Sequence, residues 1–423
     1  MTEEKTSARA VLVGMADSSA DVSECERNLA ELERLLDTAG GEAVARVIQV
    51  KATPDPRTYI GRGKVAEVAA LCEALSADTV VFDVELSPSQ IRNLEEDLGG
   101  VTVIDRSMLV LDIFALHAVT GEGKLQVELA QLKYTAPRLI GKGAALSRQG
   151  GGIGSRGPGE SKLETDKRHL KERIRALECA LREMESNRAT MRRSRERSGI
   201  PSVAIVGYTN AGKSTLLNYL TDAGVLSENK LFATLDPTTR RMTLPSGVDV
   251  LLTDTVGFIR NLPHHLVEAF TSTLDEVRYA DILVVVADAT SPDVQSELEV
   301  TREVIASLGA KDTPVLYAYN KCDALTGECY VLSGASTVFI SAKTGEGIDT
   351  LLERLDRIVQ GSKRECRLII PYDAQGELNR LYGSYNVEQV DYREDGIHVR
   401  VSLDSKGMGR YRRFMTEEDG ADA

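Results

Sequence analysis

The chain has 423 residues, six cysteines and a formal net charge of −13. Such a length suggests about three domains, and the acidic balance argues at first sight against a nucleic-acid partner. The absence of any run of eighteen apolar residues excludes a membrane-spanning helix, and cysteines at 25, 72, 179, 322, 329 and 366 with no Cys-x-x-Cys pair argue against a disulfide frame or a cysteine metal site. No basic-then-apolar leader opens the chain, so a cytoplasmic protein is expected.

Residues 8 to 117 alternate between two periodicities. Strand patterns run over Arg9 to Val13, Val44 to Val50, Thr79 to Val84 and Val101 to Ile104. Helical patterns run over Glu24 to Leu36, Lys64 to Leu75 and Pro88 to Leu98. The alternation predicts a small parallel α/β domain over 1–118. Within it, Tyr59-Ile60-Gly61-Arg62-Gly63-Lys64 places two glycines before a lysine at a helix start. It lacks Walker spacing and a hydroxyl residue after the lysine, so a glycine turn is the stronger reading and a second phosphate site the weaker.

Residues 119–199 read as a glycine-rich loop with long antiparallel helices. One helix spans Leu125 to Lys133 and ends before Pro137; the other spans Glu160 to Arg197, with Leu163, Leu170, Ile174, Leu177, Leu181 and Met184 near heptad spacing. Between them, residues 141 to 161 hold Gly141, Gly143, Gly150, Gly151, Gly152, Gly154, Gly157 and Gly159, a density that predicts a loop. From Arg138 to Ile200 there are 16 Lys and Arg against 8 Asp and Glu, a local balance of +8 that leaves −21 on the rest. This basic segment reopens the question of a nucleic-acid partner, with Arg148 and Arg156 of the loop as contact residues. The competing reading is a solvated helix face.

A P-loop domain is expected over 200–362. Gly207-Tyr208-Thr209-Asn210-Ala211-Gly212-Lys213-Ser214 follows the apolar run Val203 to Val206 and precedes Thr215, Leu216 and Leu217, the strand-to-helix context of a phosphate-binding loop. Its glycines let backbone N–H groups approach phosphate oxygens, Lys213 supplies a charge to the β- and γ-phosphates, and Ser214 offers a hydroxyl to Mg²⁺. Asp254-Thr255-Val256-Gly257 ends the next strand pattern, where Asp254 can hold Mg²⁺ through water and the Gly257 N–H can face a γ-phosphate. Asn320-Lys321-Cys322-Asp323 follows the run Pro314 to Tyr319; Asp323 offers two acceptors to the N1–H and amine of guanine and so rejects adenine. Ser341-Ala342-Lys343 comes last, its Ala342 N–H placed to meet guanine O6. Four such motifs in order, each at the end of a strand pattern, resemble the translation-factor-like branch of P-loop GTPases. His264 and His265 are adjacent, share no helix face and have no third ligand nearby, so no chemistry is assigned to them.

A small α+β domain is expected over 363–415. Arg367 to Pro371 is strand-like, Ala374 to Tyr382 helical, and Glu388 to Arg393 and Ile397 to Ser402 flank an Asp395-Gly396 hairpin turn. Residues 416–423 read as an acidic tail.

The loop Arg148-Gln149-Gly150-Gly151-Gly152-Ile153-Gly154-Ser155-Arg156-Gly157-Pro158-Gly159-Glu160, followed by Leu163-Glu164-Thr165-Asp166, resembles the linker signature of the HflX family of GTPases. Phe232-Ala233-Thr234-Leu235-Asp236-Pro237-Thr238-Thr239-Arg240 and Thr255-Val256-Gly257-Phe258-Ile259-Arg260 resemble its switch segments. The resemblance covers nearly the whole chain. It implies GTP hydrolysis, binding to the large ribosomal subunit and its RNA, and the splitting of stalled or idle ribosomes under stress, by a monomer without stable membrane insertion. Nucleotide contacts are then expected also from Phe232, Ala233 and Thr234. The switch threonine over Mg²⁺ is Thr234 or Thr238, with Thr234 favoured for its Phe-Ala-Thr context, so the ion's set is Ser214, Thr234 and Asp254 and the catalytic set Lys213, Thr234 and Gly257. Where many GTPases carry a glutamine that orients water, this chain has Phe258, which predicts slow intrinsic turnover. Asn210 recurs in relatives whose loop helps hold K⁺; a loop-bracing amide is its alternative role. Two other readings stay open: a GTP- or ATP-dependent RNA remodelling enzyme, and a GTP-dependent signalling switch that does not touch RNA.

Overall fold

A computed structural model of the chain describes residues 8–148, 158–221, 231–232, 237–260, 271–325, 336–361, 364–403 and 405–415. The molecule is α/β, with a parallel layer, a helical hairpin, a P-loop sheet and a small α+β module in chain order.

The first layer alternates β1 (Arg9–Ala16), α1 (Val22–Thr38), β2 (Glu42–Val50), α2 (Arg62–Leu75), β3 (Thr79–Phe82), α3 (Pro88–Asp97), β4 (Thr102–Asp105) and α4 (Arg106–His117). Its strands lie in the order β2-β1-β3-β4, all parallel, as the alternating pattern predicts. Helix α4 was not expected. It follows β4 without a loop, because Asp105 ends the strand and caps the helix by accepting from the Met108 N–H at 2.9 Å. Its residues Leu109, Val110, Leu111, Ile113 and Phe114 are all buried, so it lacks the one-sided apolar stripe that marks a surface helix. The Gly61-Gly63 segment is the start of α2, with Gly61 as its extended N-cap: the Gly61 N–H donates to Gln49 Oε1 at 2.8 Å, and Lys64, inside the first turn of the helix, pairs with Glu67.

The linker departs from expectation. Helix α5 (Gly121–Arg148) continues through Pro137 instead of ending before it, and takes in Gly141 and Gly143. Helix α6 (Pro158–Ser198) starts on Pro158, whose missing N–H and fixed φ suit a first helical position, and includes Gly159. The glycine segment is therefore helical at both ends; residues 149–157, Arg156 among them, lie outside the described residues. Glycine and proline cost helix stability, but packing of one helix on another outweighs propensity. The pairing is antiparallel, with Arg188 on Glu122 at 2.7 Å, Lys133 on Glu178 at 2.7 Å and Arg173 bidentate on Glu128 at 2.7 and 2.8 Å.

The P-loop sheet contains β5 (Ser202–Gly207), β6 (Thr238–Thr243), β7 (Asp249–Asp254), β8 (Ile282–Asp288), β9 (Val315–Asn320) and β10 (Thr337–Phe339) in the order β10-β9-β8-β5-β7-β6. All neighbours are parallel except β6 on β7. Helix α7 (Lys213–Thr221) follows the phosphate loop, and α8 (Thr271–Arg278), α9 (Val294–Ser307) and α10 (Ile348–Gly361) complete the described helices. The central strands β5 and β8 read as near-continuous apolar runs because both faces of the sheet are covered there, whereas the edge strand β6 is polar and partly exposed.

In the last module β11 (Arg364–Ile370), β12 (Asn386–Arg393) and β13 (Gly396–Leu403) form an antiparallel sheet in the order β11-β13-β12, with α11 (Gly376–Ser384) and α12 (Ser405–Tyr411). Arg393 pairs with Gly396, so the hairpin loop is Glu394-Asp395, one residue earlier than expected.

The first layer and the P-loop sheet share a core. Tyr208, Leu231, Phe232, Val256 and Ile259 join Leu32, Leu35, Leu111 and Phe114 in one buried cluster. The rings of Phe114 and Phe232 meet edge to face at 4.7 Å. Among the described residues no helix is long and apolar enough to cross a membrane.

Candidate functional site

The loop from Gly207 to Gly212 leaves the end of β5, a central strand, and enters α7. Gly207 (φ +144°) has no room for a side chain, since a Cβ would sit 2.1 Å from the Val286 carbonyl oxygen. Gly212 (φ +97°) is equally confined: a Cβ there would lie 2.1 Å from Asn320 Nδ2. The loop thus needs glycine for backbone shape and for close approach. Asn210 also has a left-handed backbone, φ +60°, which asparagine tolerates better than most residues.

Lys213 is fully buried. Its ammonium folds back over its own loop and donates to the carbonyls of Gly207 at 3.1 Å and Tyr208 at 2.7 Å. Burial pushes its pKa down to about 8, against an opposing pull from Asp254. Ser214, half-buried at the start of α7, donates from Oγ to Asp254 Oδ2 at 2.6 Å. Thr215 follows on the same helix; Thr255, fully buried, donates to the Ile205 carbonyl at 2.8 Å and ties the two strands together.

The segment after β7 lies against the loop. The Phe258 N–H donates to the Gly207 carbonyl at 3.1 Å, and the Thr209 N–H donates to the Phe258 carbonyl at 2.9 Å. Gly257 is thereby pressed onto the loop, where a Cβ would be 2.8 Å from Thr209 Cα and 2.9 Å from Lys213 Nζ. The Phe258 ring is buried with Val206, Leu274, Val277 and Val285. Its side chain is a core residue.

The base-recognition motifs meet the loop from the other side. Asn320, buried at the end of β9, donates from Nδ2 to the Ala211 carbonyl at 2.8 Å and accepts the Ala342 N–H on Oδ1 at 2.9 Å. The Ala342 N–H, expected to meet guanine O6, is therefore engaged by Asn320, and a contact with O6 requires a shared, three-centre hydrogen bond. Asp323 Oδ1 accepts from Ser341 Oγ at 2.7 Å, which orients the carboxylate and leaves it acceptor capacity for two more donors. Lys321 (φ +67°) pairs with Asp288 at 2.6 Å, and Lys343 is exposed.

The structure thus brings together Gly207 to Thr215, Asp254 to Gly257, Asn320 to Asp323 and Ser341 to Lys343. Phe232 is held away from solvent against Phe114, with a left-handed backbone at φ +57°. Ala233 and Thr234 lie outside the described residues, as do His264 and His265; Thr238 sits on β6 opposite Asp254. Arg148 is the last residue of α5.

Residues of the first layer also reach the site, which the sequence reading missed. Tyr208 donates its phenol hydrogen to Glu31 Oε1 and accepts the Arg260 N–H at 2.8 Å. Glu31 Oε2 accepts from Arg106 Nη2 at 2.8 Å, and Arg106 reaches Asp83 at 2.6 Å. Burial works against the charge of Arg106, but Glu31 and Asp83 outweigh it and hold its pKa above the ordinary arginine value. Burial, helped by Glu31, raises the Tyr208 phenol pKa. The signal available in sequence was Glu31 one turn before Leu35, an acid on the apolar face of its helix.

Comparisons with known proteins cover the same ground. The chain matches families described as GTP-binding GTPase N-terminal over residues 26–115, GTP-binding GTPase Middle Region over 117–195, 50S ribosome-binding GTPase over 202–321 and HflX C-terminal domain over 331–417. It is 49% identical over 407 residues to GTPase HflX of Caldanaerobacter subterraneus subsp. tengcongensis, covering 96% of this chain and 94% of that protein. To GTPase HflX of Escherichia coli it is 43% identical over 384 residues, covering 89% and 90%. Among solved structures, a GTP-binding protein of Sulfolobus solfataricus in complex with GDP is similar with a TM-score of 0.44 at 25% identity, covering 84% of this chain and 99% of that one.

Proposed function

The chain belongs to the HflX family of GTPases, and on that premise we propose that it binds the large ribosomal subunit in its GTP form and dissociates stalled or idle ribosomes under stress. The observation that carries the proposal is the match of residues 202–321 to a family described as 50S ribosome-binding GTPase, in a chain where Ser214 of the P-loop bonds Asp254 and Asn320 of the base motif bonds Ala211. The +8 balance of the linker supports contact with ribosomal RNA, assigned to Arg148 and Arg156. The proposed division is 1–118, 119–199, 200–362 and 363–415 with a tail at 416–423, for a cytoplasmic monomer.

The chain hydrolyses GTP to GDP and phosphate. In the proposed mechanism Lys213 leaves the carbonyls of Gly207 and Tyr208 for the β- and γ-phosphates, and the Gly257 N–H faces the γ-phosphate. Asp323 and the Ala342 N–H read the guanine, while Asn320 braces the phosphate loop against the Ser341-Ala342-Lys343 turn. Ser214 Oγ at the start of α7 and Asp254 Oδ2 at the end of β7 are hard oxygen donors 2.6 Å apart, a set that suits Mg²⁺ with Asp254 acting through water; Thr234 is proposed as the third. When bound, Mg²⁺ neutralises charge developing on the β- and γ-phosphate oxygens. K⁺ is proposed beside Asn210. Phe258 cannot orient water, and its ring is committed to the core, so turnover of the isolated chain is slow and the ribosome supplies what is missing.

Co-sedimentation with purified large subunits tests the proposal. Binding with a non-hydrolysable GTP analogue and its loss with GDP is the expected result. Equal, negligible pelleting with both nucleotides contradicts it and favours a switch that does not touch RNA.

A further inference from the structure

Arg260 lies three residues after Gly257, and both of its backbone hydrogen-bonding groups are taken by side chains. Its N–H donates to Tyr208 Oη at 2.8 Å, and its carbonyl accepts from Arg106 Nη2 at 2.9 Å. The two side chains converge on one carboxylate: Tyr208 donates to Glu31 Oε1, and Arg106 Nη2 donates to Glu31 Oε2 at 2.8 Å. The result is a closed ring of Arg260, Tyr208, Glu31 and Arg106. Two members belong to the first layer, one to the phosphate loop and one to the segment after β7. Glu31, Arg106 and Tyr208 are each no more than 6% exposed, so solvent screens the ring little. A second tie runs beside it, where Asp293 at the start of α9 faces Arg27 of α1 at 3.6 Å and Arg260 at 3.7 Å.

The ring sits where position matters for hydrolysis. Phe258 is already bonded to Gly207 and Thr209 through its backbone, so fixing Arg260 holds the segment at a second point. A donor aimed at developing charge contributes most when it need not reorganise during the reaction. We infer that Glu31 is a positioning residue for GTP hydrolysis: through Tyr208 and Arg106 it fixes the backbone of Arg260 and so the aim of the Gly257 N–H. Nucleotide affinity comes mainly from the phosphate loop and the base motifs, so the ring acts on kcat rather than on KM. The inference rests on the assignment of Gly257 and Lys213 to the phosphates made above.

Steady-state GTP hydrolysis by the full chain tests it, with Glu31→Gln, Tyr208→Phe and the double variant. Glutamine has a single acceptor oxygen and cannot serve both Tyr208 and Arg106; phenylalanine keeps the packed ring and removes only the hydroxyl. Each single variant is expected to lower kcat at least about fivefold with KM for GTP within about twofold, and the double variant to be no slower than the slower single, because either change opens the same ring. Amide hydrogen exchange at Arg260 should quicken in both, with thermal unfolding showing the fold intact. Parent-level kcat in both single variants, losses that multiply in the double variant, or unchanged exchange at Arg260 overturns the inference. Lys213→Ala separates the two levels: inactivity of that variant beside parent-like ring variants sinks the ring alone. Parent-like hydrolysis by Lys213→Ala sinks the site assignment and the inference with it.

Discussion

The Tyr208 hydroxyl in the phosphate loop donates to the carboxylate of Glu31, 177 residues earlier in the chain and on a helix of a different layer. A P-loop site is usually described from its own domain, yet here one wall of the loop is built by the N-terminal layer. The same interface buries Phe232 against Phe114 and carries Arg106 to the backbone of Arg260. Nucleotide chemistry and the packing of the first layer are therefore linked through named contacts.

Base choice rests on Asp323. Asp323→Asn keeps an oxygen for the Ser341 hydroxyl but turns the other acceptor into a donor. GTP affinity should fall roughly tenfold to a hundredfold while xanthosine triphosphate gains. Competition between the two nucleotides measures this, and unchanged GTP affinity would remove Asp323 from base recognition.

Lys213 predicts a proton coupled to binding. Its pKa of about 8 in the free site rises when a phosphate anion favours the charged form. Affinity is then full below pH 8 and falls as pH rises through that value, by up to about tenfold per unit. Calorimetry at pH 9 in buffers of different ionisation enthalpy should show close to one proton taken up per nucleotide, far less at pH 6.5, and none in Lys213→Ala. Uptake that is the same at both pH values contradicts the assignment.

Much of this was legible beforehand. The eight-residue loop, the strand-end motifs and the alternating first layer announced themselves through glycine spacing and apolar periodicity, and all the strands expected in the first layer formed. Three things were not legible. Helix α4 is buried nearly all round, so it carries no amphipathic stripe. Glycine and Pro137 pointed to a loop where a helical partner holds α5 and α6 as helices. The Glu31 and Arg106 contacts join residues remote in sequence, and no local pattern specifies which acid meets which loop.

If K⁺ is held beside the phosphates by Asn210, replacing K⁺ by Na⁺ should slow hydrolysis, and Asn210→Ala should abolish the difference between the two salts. The left-handed backbone at Asn210 supplies the competing account, a residue chosen for its φ of +60°. Equal rates of the parent in both salts favour that account.

For the glycine linker, counterion release sets the expectation. Replacing Arg148 and Arg156 together by alanine should weaken binding to large subunits and flatten its salt dependence by roughly one to two units of log–log slope, with GTP binding at Lys213 nearly unchanged. A double variant with the parent's affinity and slope would make the linker a structural hinge and move the RNA contact to the helices or the C-terminal module.

The central claim concerns ribosomes, and the most direct measurement is a sucrose-gradient profile of intact ribosomes incubated with the full chain. With GTP or its non-hydrolysable analogue, the intact-ribosome peak should fall, free subunits should rise, and the protein should travel with the large subunit; with GDP the profile should match ribosomes alone. An intact-ribosome peak that is the same under all nucleotides, with the protein left at the top of the gradient, would contradict the account.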